Sequence, residues 1–217
     1  MKQLHIPLIK TGETASGIDA IHVFLEEQTV LCGVDTLNWP EFSTTPQVTF
    51  RIGHGGDRIW LKYYVREKHL LSSITGINGP VHRDSCVEFF FSPCSDGFYY
   101  NLEFNCTGVP HVSYGSGRGD RSDIDPVILR SIETRSSLGP GPLEERNGDF
   151  FWELALAIPV DIFVHDGLHS FGGLRARGNF YKCGDDTPEP HYLSWNPVKT
   201  EKPDFHRYES FGELIFE

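Results

Sequence analysis

Arg83-Asp84-Ser85-Cys86-Val87-Glu88-Phe89-Phe90-Phe91 and Tyr99-Tyr100-Asn101-Leu102-Glu103-Phe104-Asn105 are two runs rich in aromatic and β-branched residues, separated by Ser92-Pro93-Cys94-Ser95-Asp96-Gly97. The pattern predicts a β-hairpin with a long loop. Side chains alternate between faces along a strand. Val87, Phe89 and Phe91 therefore share one face of the first strand, and Tyr100, Leu102 and Phe104 share one face of the second. Putting both sets on the same side defines the register: Phe91 opposite Tyr100, Phe89 opposite Leu102, Val87 opposite Phe104. Glu88 then faces Glu103, with Asn101 beside them. Like charges directly opposed on a sheet face are destabilising. The pair therefore calls for a cation, a shared proton or a ligand.

Working outward, the 217-residue chain suits one large β domain over 1–217. It is long enough to bury a core without covalent staples. Its 22 glycines and 14 prolines favour short strands broken by turns. A formal charge of −11 argues against nucleic acid, which is bound by clustered Lys and Arg, and against an anionic membrane surface. The five cysteines, Cys32, Cys86, Cys94, Cys106 and Cys183, include no CxxC pair, so a zinc ribbon is unsupported. Free thiols are the ordinary expectation. A Cys86–Cys106 disulfide is the alternative, although a near-opposite register fits its geometry poorly. The N-terminus lacks an apolar core of signal-peptide length, and no segment approaches a transmembrane span. The expectation is a soluble protein that stays where it is made, unless a leader has been removed.

Strands are predicted around Ile21, Val23 and Leu25, over Gln47–Ile52, Ile59–Arg66, Val127–Thr134, Phe150–Ile158 and Leu174–Cys183, and at the closing Phe211–Phe216. Gly53-His54-Gly55-Gly56-Asp57 reads as a hairpin turn. Pro110–Asp125 reads as loop, and its Arg-Gly-Asp at Arg118–Asp120 as a chance match. Pro159–Phe163 reads as one helical turn. Nine or ten such strands make an antiparallel β-sandwich, immunoglobulin-like or jelly-roll. One polar outer face is expected to gather Lys62, Tyr64, Arg66, Glu88, Asn101, Glu103, Arg177 and Asn179.

The order Phe50-Arg51-Ile52, Ile59-Trp60-Leu61-Lys62-Tyr63, Asp84-Ser85-Cys86-Val87-Glu88-Phe89-Phe90, Trp152 to Ile158-Pro159 and Phe211-Gly212-Glu213-Leu214-Ile215-Phe216 resembles the family 9 carbohydrate-binding modules. It is most similar to the free-standing family 9-like proteins of gut-type bacteria, within a superfamily that includes DOMON-type domains. The Asp-Ser-Cys-Val-Glu-Phe stretch and Asn179–Asp185 are its most specific parts. The resemblance implies a sandwich that binds a sugar without cleaving it, in support of polysaccharide catabolism. It also implies two tryptophans gripping the ring, with the glutamate of Val-Glu-Phe, here Glu88, reaching its hydroxyls. Trp195 matches one clamp tryptophan. Val81-His82-Arg83 holds none at the other, so His82 or a tyrosine takes that place. Structural calcium is implied too, with Asp84, Asp96, Asp185 and Asp186 as oxygen ligands, although no EF-hand spacing supports them.

A sugar offers apolar C–H faces and a rim of hydroxyls, which need an aromatic platform and polar partners in a concave site. The expected ligand-binding set is Glu88, Asn101, Glu103, Arg83, Trp195 and Asn196, followed by His191, Asn179 and Lys182. The plain alternative for the acids is an ion-pair network with Lys62, Arg66 or Arg177. The functional alternative is a glycoside hydrolase using Glu88 and Glu103, since retaining enzymes hold two carboxyls ~5 Å apart. No local catalytic signature surrounds either acid. A Met/His haem site is disfavoured because Met1 is the only methionine. His191 and His206, with Asp204 near the second, form a weaker metal candidate. The expected partners are a saccharide and a glycan-degrading enzyme, with no required cofactor.

Overall fold

The computed structural model describes residues 1–10 and 17–217. In chain order the strands are β1 (Gln3–Ile6), β2 (Cys32–Gly33), β3 (Thr36–Leu37), β4 (Gln47–His54), β5 (Arg58–Ser72), β6 (Cys86–Ser92) and β7 (Tyr99–Asn105). There follow β8 (Pro110–Gly117), β9 (Asp120–Asp123), β10 (Glu133–Ser136), β11 (Leu143–Pro159), β12 (Arg175–Cys183), β13 (Tyr192–Ser194) and β14 (Gly212–Phe216). Among the described residues there are also two short α-helices, α1 (Ile18–Gln28) and α2 (Pro126–Leu129).

The strands form two facing sheets. One has the path β1-β14-β12-β6-β7-β8-β9, with β13 and β3 attached beside β12, and the other runs β10-β11-β5-β4-β2. The pairing is antiparallel except for β1 with β14. The architecture is therefore the β-sandwich that the strand count predicts. The hairpin register is as derived from the alternation: Phe91 faces Tyr100, Phe89 faces Leu102, Val87 faces Phe104, and Glu88 faces Glu103.

Between the sheets, Phe50 stacks on Phe180 with centroids 3.9 Å apart, and Phe180 stacks on Phe89 at 4.8 Å. Trp152, Leu154, Leu156 and Ile158 of β11 and Ile59, Leu61, Tyr63 and Val65 of β5 fill the same interior. Burying such side chains supplies about 1.5–3 kcal/mol each. Tyr63 also donates its hydroxyl to the Glu88 carbonyl at 2.8 Å, tying the second sheet to the strand that carries the acid.

Four expectations need correction. The segment around Ile21 is helix α1, not strand. Ile18, Ile21 and Leu25 recur at helical spacing. Ile21 and Leu25 are buried on Trp60 and Ala157, while Val23, which a strand would have buried with them, is exposed. Val127–Thr134 is not a strand either. Pro126 starts the helical turn α2, which Asp125 caps through the Val127 amide, and β10 follows it. Pro110–Asp125 is the hairpin β8–β9 rather than loop, its glycines allowing Asp120 and Arg121 to approach Gly115 closely. Finally, Lys62, Tyr64 and Arg66 lie on the other sheet from Glu88. Lys62 pairs there with Glu153 at 3.0 Å and with Glu26 of α1 at 3.6 Å, and Arg66 pairs with Asp149. Alternation specifies which residues share a face of one strand, but not which strands share a sheet. The hairpin turn falls at Gly55–Asp57, inside the expected Gly53–Asp57 stretch, and the helical turn Val160–Ile162 is as expected.

Candidate functional site

Glu88 and Glu103 emerge together on the face of β6 and β7 turned away from the sandwich interior. That face is not solvated, and the two acids are only 3% and 5% exposed. Trp39, Val198, Phe205 and Phe211 fold over Phe90, Tyr99 and Tyr181 to make a second, smaller apolar cluster on the outside of the sheet. Glu88 and Glu103 help line a cavity of about 170 Å³ beside this roof. Tyr192, Phe205 and His82 add rings to its wall, while Arg118, Arg121, His111, His206 and Asp204 add polar groups.

The opposed acids escape mutual repulsion by taking different states. Burial, reinforced by the Glu103 charge, pushes the Glu88 carboxyl well above the usual carboxylate range. Cys183 Sγ donates to its Oε1 at 3.1 Å. Burial is the strongest single influence on Glu103 and pushes it upward, but His82, His111 and His206 together outweigh it and hold Glu103 below its ordinary value. His82 Nδ1 stands 3.7 Å from Glu103 Oε2, an ion-pair separation rather than a hydrogen bond. His82 is raised in return, chiefly by Glu103 and against its own burial. Glu88 is therefore a neutral acid able to donate a hydrogen bond, and Glu103 an anion able to accept. Asn101 donates Nδ2 to Glu103 Oε1 at 2.9 Å. Glu103 Oε2 and Asn101 Oδ1 are both buried without a hydrogen-bond partner. Buried polar atoms are nearly always satisfied, so two such acceptors side by side mark a place built to receive donors.

The opposite wall is basic but internally engaged. Arg118 donates to Asp204 at 3.1 Å. Arg121 Nη1 lies 2.9 Å from His206 Nδ1, and the Tyr99 hydroxyl lies 3.0 Å from the same nitrogen. Burial and then Arg121 push His206 down to about 3, so it is neutral and accepts.

Of the expected residues, Glu88, Glu103 and Asn101 come together and the rest do not. Arg83 turns outward to Asp186 at 2.7 Å. Trp195 is buried, edge-on to Phe180, with its ring over Gly212 so closely that a Cβ there would sit 2.4 Å from it. No ring face remains for stacking. Asn196 accepts from the Lys2 amide at 2.8 Å and donates to the Ser210 carbonyl. Asn179 donates to the Asn196 and Ser210 carbonyls and accepts from the amides of Phe180 and Asn196, stitching the last loop to β12. Lys182 points into the sandwich, 2.8 Å from Glu67 and 2.9 Å from His191 Nε2. Arg177 donates to the Phe211 carbonyl and covers the Tyr208 ring.

The four aspartates do not assemble a calcium site. Asp84 accepts from Ser73, Ile74 and Asn105, Asp96 caps the Phe98 amide, Asp186 holds Arg83, and Asp185 lines the cavity. His191 and His206 lie on different sides of the molecule's main sheet, one beside Glu67 and one over Phe90. All five cysteines are free, Cys86 and Cys106 among them.

Sequence reasoning did not place Arg118, Arg121, His111, Tyr192 or Phe205 at the site. The available signal was the pairing of β7 with β8, which sets His111 opposite Glu103. A larger cleft, about 460 Å³, lies near Arg66, His69 and Glu189. No aromatic ring lines it apart from histidines; Arg66 pairs there with Asp149, and His69 lies 3.8 Å from Glu189.

A model of carbohydrate-binding family 9 matches residues 19–216. Among curated proteins, none matches the chain. The crystal structure of a proposed carbohydrate-binding protein from Bacteroides uniformis superposes with a TM-score of 0.95 at 38% identity, covering 100% of this chain and 99% of the other. A family 9 module from Caldicellulosiruptor kristjanssonii in complex with glucose matches at TM-score 0.63 and 12% identity, over 100% and 96% of the two chains. Its complex with cellotriose matches at 0.61 and 12%, over 100% and 94%. At that identity the last two speak for the fold.

Proposed function

The chain belongs to carbohydrate-binding family 9, and on that premise we propose that it binds one terminal ring of a saccharide, without covalent chemistry, in the cavity over Glu88 and Glu103. The carrying observation is the pair of buried, unsatisfied acceptors, Glu103 Oε2 and Asn101 Oδ1, beside that cavity. Vicinal hydroxyls are the donors such a pair would take. Protonated Glu88 would donate to a ring oxygen. Tyr192, with His82 in the position that lacks a tryptophan, would replace the expected Trp195 as the apolar surface for C–H groups. A cavity near 170 Å³ is smaller than the roughly 300–1,000 Å³ of drug-sized sites, which suits one ring rather than a chain segment. Glucose and cellotriose, the ligands of the structurally similar modules, are the first to try. Residues 1–217 would act as one binding unit alongside a glycan-degrading enzyme.

The hydrolase reading draws no support from this geometry. Both carboxyls rise from directly opposed positions on one sheet, hence from one side of any bound ring, whereas glycosidic cleavage places them on either side of the bond. Calorimetry over a panel of mono- and oligosaccharides tests the proposal. Saturable binding that Glu103→Gln and Tyr192→Ala weaken, with no product released, is the expected result. Binding untouched by both changes would place the site elsewhere.

A further inference from the structure

Beneath the proposed sugar cavity lies a set of groups that saccharide binding does not require. Cys86 and Cys183 face each other across β6 and β12, and Glu88, two residues on from Cys86, projects on the same side. Among the described residues, these three form one group whose ligating atoms all lie within 4.8 Å of one another. Cys86 and Cys183 are 0% and 1% exposed, yet Cys183 and Glu88 form part of the cavity lining. The Cys86 thiol donates to the carbonyl of its neighbour Val87 at 3.7 Å and interacts with the Cys183 thiol.

We propose that Cys86, Cys183 and Glu88 form a binding site for a thiophilic divalent cation of the Zn²⁺ class, entered from the cavity. Zn²⁺ takes sulfur at about 2.3 Å and carboxylate oxygen at about 2.0–2.2 Å, which spaces tetrahedral ligands about 3.5–3.8 Å apart. Side-chain rotation would have to close the present group, whose ligating atoms lie within 4.8 Å of one another, to that spacing. Two thiolates and a carboxylate exceed the charge of one divalent ion by one. Arg121, on the cavity wall against the neutral His206 ring and close enough to act on the Glu88 carboxyl, supplies compensating positive charge. Two sulfurs select against calcium and magnesium, which take oxygen ligands. The fourth position faces the cavity and would hold water or a ligand hydroxyl. Metal binding displaces the protons of both thiols and of Glu88, which burial now retains, that of Cys86 up to about 12. Metal binding would therefore withdraw Glu88 as a hydrogen-bond donor. The site stands independently of the saccharide reading, because its ligands are read without any sugar.

The test titrates Cd²⁺, then Zn²⁺ in competition, into the fully reduced, chelator-treated protein carrying Cys94→Ser, which removes the exposed thiol. One equivalent of an ultraviolet sulfur-to-cadmium charge-transfer band, displaced by Zn²⁺ and accompanied by a raised melting temperature, is the expected result. Cys183→Ser and Cys86→Ser should each lower the affinity at least about tenfold, while Glu88→Gln keeps a weaker band. Circular dichroism confirms that the variants fold. Should a serine variant unfold, cadmium-113 resonance of the parent protein gives a second reading, in which a shift typical of two sulfur ligands is expected. No band in protein whose thiols are all free, a band unchanged in Cys183→Ser, or a Cys86–Cys183 disulfide after purification would each overturn the site.

Discussion

Two carboxylate clusters lie buried on the sheet that carries β6 and β12, one on each side. Inside the sandwich, Glu67 is held by Lys182 at 2.8 Å and by the Trp152 indole at 2.6 Å, with His191 against the same lysine. On the outer side, Glu88 and Glu103 face each other, with His82 3.7 Å from Glu103 Oε2, too far for a hydrogen bond, so that this oxygen is left without one. The first cluster has its counter-charge built in and serves as structure. The second has divided a proton between its members and kept an opening beside them. Burial alone therefore says little about function, whereas a buried acid whose partners are incomplete says a good deal.

The sharpest way to break this contrast is to take the counter-charge from the inner cluster. Lys182→Met leaves Glu67 uncompensated and should cost about 3–5 kcal/mol in urea unfolding, as loss of one partner of a buried pair does. Lys182→Met combined with Glu67→Gln, which keeps an acceptor for the Trp152 indole, should recover most of that loss. If the single variant is as stable as wild type, the inner cluster is not structural and the comparison fails.

At the outer cluster the effect should fall on binding instead. Glu103→Gln removes a charged acceptor, a change of about 1.5–3 kcal/mol in a hydrogen bond to an ionised group. That corresponds to roughly tenfold to a hundredfold weaker saccharide binding by calorimetry, with little loss in melting temperature. A drop in stability matching that of Lys182→Met would make both clusters structural.

Trp195 sharpens the comparison from a third position. It lies against the interior, and Gly212 leaves it room. Gly212→Ala forces the ring to move, an overpacking that costs about 1–3 kcal/mol. Chemical denaturation should report that cost while saccharide affinity stays within twofold. Lost affinity at wild-type stability would restore the stacking role expected for Trp195.

That exchange of roles shows what the sequence could and could not convey. The hairpin register was legible because apolar alternation along Val87–Phe91 and Tyr100–Phe104 admits one pairing that buries both sets. Glu88, Asn101 and Glu103 followed from the same parity. Lys182 and His191 were misplaced although parity assigns Lys182 to the inner face, beside Val87. A lysine in the interior is rare without a partner, and that partner, Glu67, lies in the other sheet, 115 positions away. Trp195 was misplaced because a tryptophan in a loop reads the same whether it lines a cavity or closes a core. Arg118 and Arg121 reach the site on the β8–β9 hairpin, which the sequence reads as loop, and Tyr192 on β13, whose pairing with β12 no local pattern encodes.

The smallest effect is also the most specific to the outer cluster. Glu88 has a folded value raised above the 4.5 of an ordinary glutamate. Below that pH both folded and unfolded chains hold the proton, and the group is neutral for stability. Above it the unfolded chain releases the proton first, so the folded state loses stability until the pH reaches the raised value. Glu103 runs the other way. Its value is lowered, so its contribution is present above the ordinary range and lost on acidification. His82, raised by Glu103, contributes below its ordinary 6.5 and loses that contribution as pH rises through its raised value. Glu88→Gln cannot titrate. Its stability relative to wild type should therefore grow with pH, by about 1 kcal/mol between about pH 4.5 and 5.5, and continue upward until wild-type Glu88 ionises. Thermal melts of both proteins across that window read the slope directly. A constant difference would mean that Glu88 is ionised like its neighbour, and that the two acids do not share their proton unequally.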